Sequence, residues 1–270
     1  MISTAFSLLA AAAVGYLALA AWLYFTQENA IFFPGPNDAG LRRHYEKSRV
    51  EIPTGHGETI EGWWIENPAA ANDLAILYFG GNAEDVLYTA ETASRFNARQ
   101  VFVANYRGYG ASTGRPGQEA LYEDGLAIYE HAIKRGVRPD HLIVMGRSLG
   151  SGVASMLAGS REVRGAILVT PFDSLADVAA HHYPYFPVRL LLRHPFPSIE
   201  WARKAHAPAL VLGAAGDDIV PASHARRLAE AWAGRTFVHV LPDTGHNDIE
   251  QSPEYYRLIN AFLGDGRAPH

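Results

Sequence analysis

From residue 74 onward the chain repeats one pattern: a short unbroken apolar run, a break, then apolar positions at helical spacing. The apolar runs cover 74–79, 100–105, 141–145, 166–170, 209–213 and 236–241. The helical stretches cover 85–96, 119–135, the segment after Ser148, 223–233 and 254–263. Strands that are apolar on both faces belong in a parallel sheet covered by helices on each side. The pattern therefore predicts an α/β fold with a mostly parallel central sheet. Two earlier strands, 48–52 and 59–65, flank the turn 53–57 and predict an antiparallel hairpin at one sheet edge. Residues 174–205 break the alternation. They lie between two strands, are rich in Pro, His and aromatic residues, and predict a small cap over the C-terminal edge of the sheet.

The N-terminus has its own pattern. Residues 2–25 carry no charge and consist mainly of Ala, Leu, Val and aromatics. As a helix this stretch is roughly 36 Å long, enough to cross a hydrocarbon core of about 30 Å. Trp22, Tyr24 and Phe25 stand at its end, where an interfacial aromatic belt belongs. The expected organisation is a single-pass membrane anchor, 1–27, followed by one α/β catalytic domain, 28–270, with Gln27 to Gly40 as a juxtamembrane connector. A signal peptide cleaved at Ala18-Leu19-Ala20 and a buried core helix are the competing readings. The signal reading suffers from the lack of a basic n-region and from an apolar run that continues past the site. Arg42, Arg43, Lys47 and Arg49 follow the span and lean the domain toward the cytoplasm. Glu28 and Asp38 intervene, so the side of the membrane stays open.

Composition narrows the chemistry. The net charge is −5, which gives no basic surface for nucleic acid. Cysteine is absent, which removes disulfides, thiolate metal sites and cysteine nucleophiles. No His-Glu-x-x-His or comparable ligand set occurs, so neither a metal nor a cofactor is expected.

What remains is a serine. Leu142-Ile143-Val144-Met145-Gly146-Arg147-Ser148-Leu149-Gly150 reads as a buried strand running through G-x-S-x-G into a helix. That is the context of a nucleophile elbow, a sharp turn that lifts the Ser148 hydroxyl above the sheet edge beside a helix N-terminus. A serine nucleophile needs a base, and the base needs an orienting acid. His246 follows the last strand in Pro242-Asp243-Thr244-Gly245-His246 and is the best-placed base. His181, His182 and His194 fall in the cap. His56, His131, His141, His206 and His224 lie near turns or on helices, and His44, His239 and His270 lie on the connector, a strand and the terminus. Asp217, in the loop 213–221 after another strand, is the expected acid, with Asp218 and Asp173 as rivals. The order Ser…Asp…His suits this constellation. The oxyanion donors expected are the backbone N–H groups of Leu149 and Asn82, with Ala83 as the alternative to Asn82.

Taken together, these stretches resemble the α/β-hydrolase superfamily, and more narrowly its membrane-anchored, bud-emergence-homologue type. The resemblance rests on 24–36, 78–85, Asn105-Tyr106-Arg107-Gly108-Tyr109-Gly110, 146–150, Pro171-Phe172-Asp173-Ser174, 213–221 and 245–248, so it covers nearly the whole chain. It implies an α/β-hydrolase domain over 28–270, an N-terminal transmembrane helix and serine hydrolase activity, and it strengthens Asp217 and His246. One departure stands out. The family carries His-Gly-Asn at the oxyanion loop, where this chain has Gly80-Gly81-Asn82. Losing that His predicts a looser loop.

The reaction expected is cleavage of a small-molecule acyl ester or thioester, with a lipid-like acyl group suggested by the aromatic cap and the anchor. A serine peptidase of the aminopeptidase or oligopeptidase type is the alternative, without the extra domain such enzymes carry. A binding protein on the same fold would be expected to have a damaged triad. Acyl length, physiological substrate and oligomeric state are not readable from these residues.

Overall fold

The computed structural model describes residues 2–55 and 57–265. His56, within the turn expected at 53–57, and the C-terminal His270 lie outside the described residues. In chain order the elements are α1 (Ile2–Ile31), α2 (Ala39–His44), β1 (Arg49–Pro53), β2 (Thr59–Glu66), β3 (Ala75–Phe79), α3 (Leu87–Thr92) and β4 (Gln100–Ala104). There follow α4 (Gln118–Lys134), β5 (Leu142–Arg147), α5 (Leu149–Ser160), β6 (Gly165–Val169), α6 (Leu175–His182), α7 (Val188–Leu191) and α8 (Ser198–Ala202). The chain closes with β7 (Ala209–Ala214), α9 (Ala222–Ala231), β8 (Thr236–Leu241) and α10 (Pro253–Asp265).

One sheet takes all eight strands in the order β1-β2-β4-β3-β5-β6-β7-β8. β1 and β2 form the expected edge hairpin, and β2 joins the rest antiparallel, with Trp64 opposite Phe102. From β4 to β8 every pairing is parallel. Alternate strand residues feed two cores. Leu77, Val144, Leu168 and Val211 pack with residues of α4, α5, α8 and α9. Ile76, Ile143, Ile167 and Leu210 pack with residues of α3 and α10. Both faces are thus dry, which is why these strands read as continuous apolar runs.

Three differences from the expected layout bear on the site. First, α1 does not stop near residue 27 but continues to Ile31. Its polar last turns are docked rather than free. Gln27 Nε2 donates to Leu191 O at 3.2 Å, its Oε1 accepts from Arg193 N at 2.7 Å, and Glu28 pairs with Arg193 at 3.2 Å. Long-range partners of this kind hold a helix past the point where its apolar signal ends. Second, the stretch 174–205 divides. Residues 181–192 are exposed or half-buried, whereas Phe196, Ala202 and Ala205 are wholly buried in the core. Third, α3 is short. The Asp85 carboxylate accepts from Leu87 N at 3.1 Å and fixes its start, and a 3₁₀ turn at Ala93–Arg95 ends it.

The loop 105–114 is built around buried charge. The Arg107 guanidinium meets Asp124 of α4 with its Nε at 2.9 Å and an Nη at 2.5 Å, and both side chains are almost inaccessible. Burial pushes the Asp124 carboxyl above the usual carboxylate range, against the pull of Arg107. Glu61 of β2 is buried likewise and accepts from Arg42, Arg49 and the Ala111 N–H. Removing one partner of a buried pair strands the other charge, which costs about 3–5 kcal/mol. Arg107→Ala should therefore lower the unfolding free energy of the full chain by that amount. Arg138→Ala, which breaks an exposed pair with Asp140, should cost under about 1 kcal/mol. Denaturant titration of the two variants side by side checks the contrast.

Candidate active site

The C-terminal ends of β3, β5, β7 and β8 deliver four loops to one place. Ser148 follows β5 immediately and sits at φ 48°, ψ −115°, a left-handed backbone that a non-glycine residue adopts only under constraint. Packing supplies the constraint. A Cβ on Gly146 would lie 2.2 Å from Gly150 O, and one on Gly150 would lie 2.0 Å from Phe79 O. Only glycine at both flanks lets α5 close down on β3 and β5. Ser148 N–H donates to Val169 O at 2.9 Å, which ties the turn to β6.

The three residues read as nucleophile, base and acid come together. His246 Nε2 is 2.8 Å from Ser148 Oγ, and His246 Nδ1 is 2.7 Å from Asp217 Oδ2. Asp217 turns its other oxygen to the N–H groups of Ile219 and Val220, at 3.0 and 2.7 Å. Its side chain is 1 % exposed. The local loop thus fixes the carboxylate on one side and leaves one oxygen for the imidazole.

Neither rival acid reaches His246. Asp218 is exposed. Asp173 pairs elsewhere, with His224 Nδ1 at 2.6 Å and Arg227 Nε at 2.5 Å. Burial pushes the Asp173 carboxyl up, but the bonds from His224 and Arg227 outweigh it and hold the group at about 2.

The loop after β3, where the second oxyanion donor is expected, is held more firmly than its missing histidine suggests. Glu84, which sequence reasoning overlooked, accepts from Gly81 N at 2.7 Å, from Tyr78 Oη at 2.7 Å and from Thr89 Oγ1 at 3.1 Å. Arg147, the variable residue of the elbow, reaches Glu84 at 3.5 Å and donates to His246 O at 3.2 Å. Burial works against the Arg147 charge, and the Glu84 carboxylate beside it works the other way. Burial pushes Tyr78 and Tyr106 well above the ordinary phenol value, so both stay protonated donors. Tyr106 donates to Gly80 O at 2.7 Å, and Tyr109 to Asn82 Oδ1 at 3.0 Å. This is the work of the Asn-Tyr-Arg-Gly-Tyr-Gly stretch. A Cβ at Gly80 would meet Glu84 and Val86 at 3.0–3.3 Å, so the space beside Gly80 is already taken.

The Asn82 side chain points to α1 rather than to the serine. Its Oδ1 accepts from Phe33 N at 2.7 Å, and its Nδ2 donates to Ala30 O at 3.2 Å. Gly81 N–H is committed to Glu84, and Asn82 borders the same cavity as Ser148. Ala83 turns its carbonyl into close contact with Gly35. Asn82, Ser148 and Leu149 border a single open cavity of about 550 Å³. Phe172, Val178 and Ile219 give it an apolar wall, and none of its lining residues is Asp, Glu, Lys or Arg. His182 also borders it and meets Ile219 O at 2.8 Å. Among the described residues no cluster of His, Asp and Glu is arranged to hold a metal.

The chain is similar to known proteins along most of its length. A family model for the alpha/beta hydrolase fold matches residues 75–194. An uncharacterized protein of Mycobacterium tuberculosis is 36% identical over 234 residues, spanning 85% of this chain and 83% of its own length. Alpha/beta hydrolase domain-containing protein 17B of Xenopus laevis is 30% identical over 228 residues, spanning 81% and 76%. Alpha/beta hydrolase domain-containing protein WAV2 of Arabidopsis thaliana is 27% identical, spanning 79% and 77%. Among solved structures, the Pyrococcus furiosus esterase Pf2001 superposes with a TM-score of 0.65 at 19% identity, covering 85% of this chain and 98% of its own.

The Asp173 cluster makes an acid-stability prediction. Its carboxyl lies at about 2 against an ordinary 3.8, so pairing stabilises the fold fully above about pH 4. The contribution, about 2 kcal/mol, fades as pH falls through 2. The gap in unfolding free energy between the parent chain and Asp173→Asn should be widest at neutral pH and shrink by that amount near pH 2. A gap that does not change with pH would refute the assignment.

Proposed function

The chain belongs to the α/β-hydrolase superfamily, in its bud-emergence-homologue type, and on that footing we propose that it is a serine hydrolase of carboxylic esters or thioesters with apolar acyl groups. The observation that carries this reading is the unbroken chain of hydrogen bonds from Ser148 through His246 to Asp217 at the floor of an uncharged cavity. In this mechanism His246 Nε2 takes the Ser148 proton as Oγ bonds to the acyl carbon. The backbone N–H groups of Asn82 and Leu149 receive the developing oxyanion. His246 then passes the proton to the leaving oxygen or sulfur, the C–O or C–S bond breaks, and an alcohol or thiol departs. Water, deprotonated by His246, attacks the acyl-enzyme, releases the carboxylic acid and restores Ser148. Asp217 accepts the Nδ1–H throughout, holding one tautomer and offsetting the imidazolium charge. The solved esterase neighbour points the same way, and the lack of a carboxylate in the cavity disfavours recognition of a peptide amine.

The reading includes α1 as a single-pass anchor. The window Thr4–Ile31 is apolar and none of it is buried in the protein. Cleavage after Ala20 would also discard Tyr16, which stacks on Phe186 of the cap at 5.2 Å, so a removable signal fits less well.

The test is turnover of p-nitrophenyl esters by the detergent-solubilised full chain. Ser148→Ala should abolish it, and Asp217→Asn should lower kcat on the order of 10⁴-fold. Asp173→Asn should stay within a few-fold at neutral pH. If Asp173→Asn is inactive and Asp217→Asn is not, the acid is misassigned. Glu84→Gln weakens the acceptor that holds Gly81 and pairs with Arg147. It should lower kcat about tenfold to a hundredfold with KM little changed, as expected when transition-state positioning is lost.

A further inference from the structure

A second apolar cavity, of about 250 Å³, adjoins that of Ser148. It is a groove between the last turns of α1 and the cap, bordered by Ala20 and Leu23 on the helix and by Ala179, Phe186 and Leu191 opposite. Ala30, Ile31 and Tyr183 border both cavities. From Ile31 back to Ala20 the groove follows the helix for roughly 16 Å. Beyond its far end the helix touches the cap again, where Tyr16 stacks on Phe186 and donates to Tyr185 O at 2.9 Å. The outer wall is a cap loop whose Tyr185 and Leu190 are each 86% exposed.

We propose that this groove is the binding site for the acyl chain of a bilayer-resident substrate, with the carbonyl at Ser148 and the methyl end directed back along α1. The position of the carbonyl rests on the hydrolase reading above. On its helix side the groove is bordered by Trp22, Tyr24, Thr26 and Gln27, and of these Thr26 and Gln27 spend their donors within the protein. Thr26 Oγ1 donates to Trp22 O at 2.7 Å, and Gln27 donates to Tyr24 O and Leu191 O. A peptide backbone laid there would leave its polar groups unpaired, whereas a hydrocarbon chain loses nothing.

The polarity of the groove matches the same ligand. The window Thr4–Ile31 is roughly 42 Å long as a helix, against a hydrocarbon core of about 30 Å. The surplus of about two turns belongs at headgroup level, and the polar run Thr26, Gln27, Glu28, Asn29 places it at the C-terminal end. The Ser148 end of the groove then lies at the headgroups, and the Ala20 end enters the hydrocarbon. An acyl lipid has this arrangement already, with its ester linkage at the interface and its methyl end inward. It reaches Ser148 by sliding along α1, without passing through water.

The experiment uses the full chain in phosphatidylcholine vesicles. kcat/KM is measured for p-nitrophenyl esters from acetyl through butyryl and octanoyl to hexadecanoyl. Ala179 borders the groove and not the cavity of Ser148, so Ala179→Phe fills one and spares the other. The ratio of hexadecanoyl to acetyl kcat/KM should fall about tenfold or more in the variant. An unchanged ratio overturns the groove while leaving the hydrolase standing. Ala20→Trp, filling the groove from the helix side, should give the same fall and serves if Ala179→Phe does not fold. A second readout needs no turnover. Ser148→Ala protein is irradiated with a hexadecanoyl ester bearing a diazirine near its methyl end. Cross-links should map to 20–31 and 179–192 and be lost on Ala20→Trp. Cross-links confined to other segments overturn the proposal. If the parent chain cleaves no ester, the hydrolase reading fails, and the cross-linking map alone decides the groove.

Discussion

The half-buried pair of Glu84 and Arg147 is the constraint on which the site depends. Glu84 belongs to the loop after β3 and Arg147 to the end of β5, and their charges meet where water scarcely reaches. An unpaired carboxylate in such a place would be costly, so each of its bonds is structural. Through Gly81 N–H the pair sets the loop after β3. Through Arg147 and the His246 carbonyl it sets the height of the loop after β8. Three strand ends are thus registered to one another by two side chains. The hydrogen bond from His246 to Ser148 requires that registration, because an imidazole displaced by an ångström loses its line to the serine.

The elbow shows how the fold stores strain where chemistry is expected. Ser148 holds a left-handed backbone because Gly146 and Gly150 allow α5 to press against Phe79 O and its own strand. Such a conformation costs of order 1–3 kcal/mol and persists because the buried strands around it over-determine it. The surrounding core is large enough to absorb that cost, with β3, β5 and β6 buried along nearly their whole length. Stability comes from the sheet interior, and the loops at its C-terminal edge inherit a rigid base.

Much of this was legible in the sequence, for a definable reason. Buried parallel strands write themselves as apolar runs, so the sheet and the loops at its ends could be located, and with them Ser148, Asp217 and His246. The edge hairpin was readable from its turn. Other features depend on contacts between distant segments and leave no local signal. Glu84 looks like any surface acid until Tyr78, Thr89 and Arg147 are folded around it. The missing family histidine suggested a loose loop, yet Tyr106, Tyr109 and Glu84 hold it from three sides. The polar end of α1 read as connector because its partners, Leu191, Arg193 and His194, lie some 160 residues away. The division of the cap stretch was hidden too, since Phe196 is no more apolar than Phe186, and only packing separates the buried ring from the partly exposed one.

Asn82 joins two parts that the linear sequence presents as separate. Its backbone belongs to the loop after β3, while its side chain accepts from Phe33 N–H and donates to Ala30 O at the end of α1. Residues 30–33 leave the helix at that point, and Phe32 plugs into the domain at 5% exposure. The helix end and the loop therefore cannot shift independently: moving one breaks bonds made by the other. Ala30 and Ile31 are also part of the cavity wall beside Ser148. A helix that only tethered the domain would need a flexible connector and no such contacts. Here the N-terminal helix completes the site it carries, and the geometry around Ser148 is a property of the whole chain rather than of the α/β domain alone.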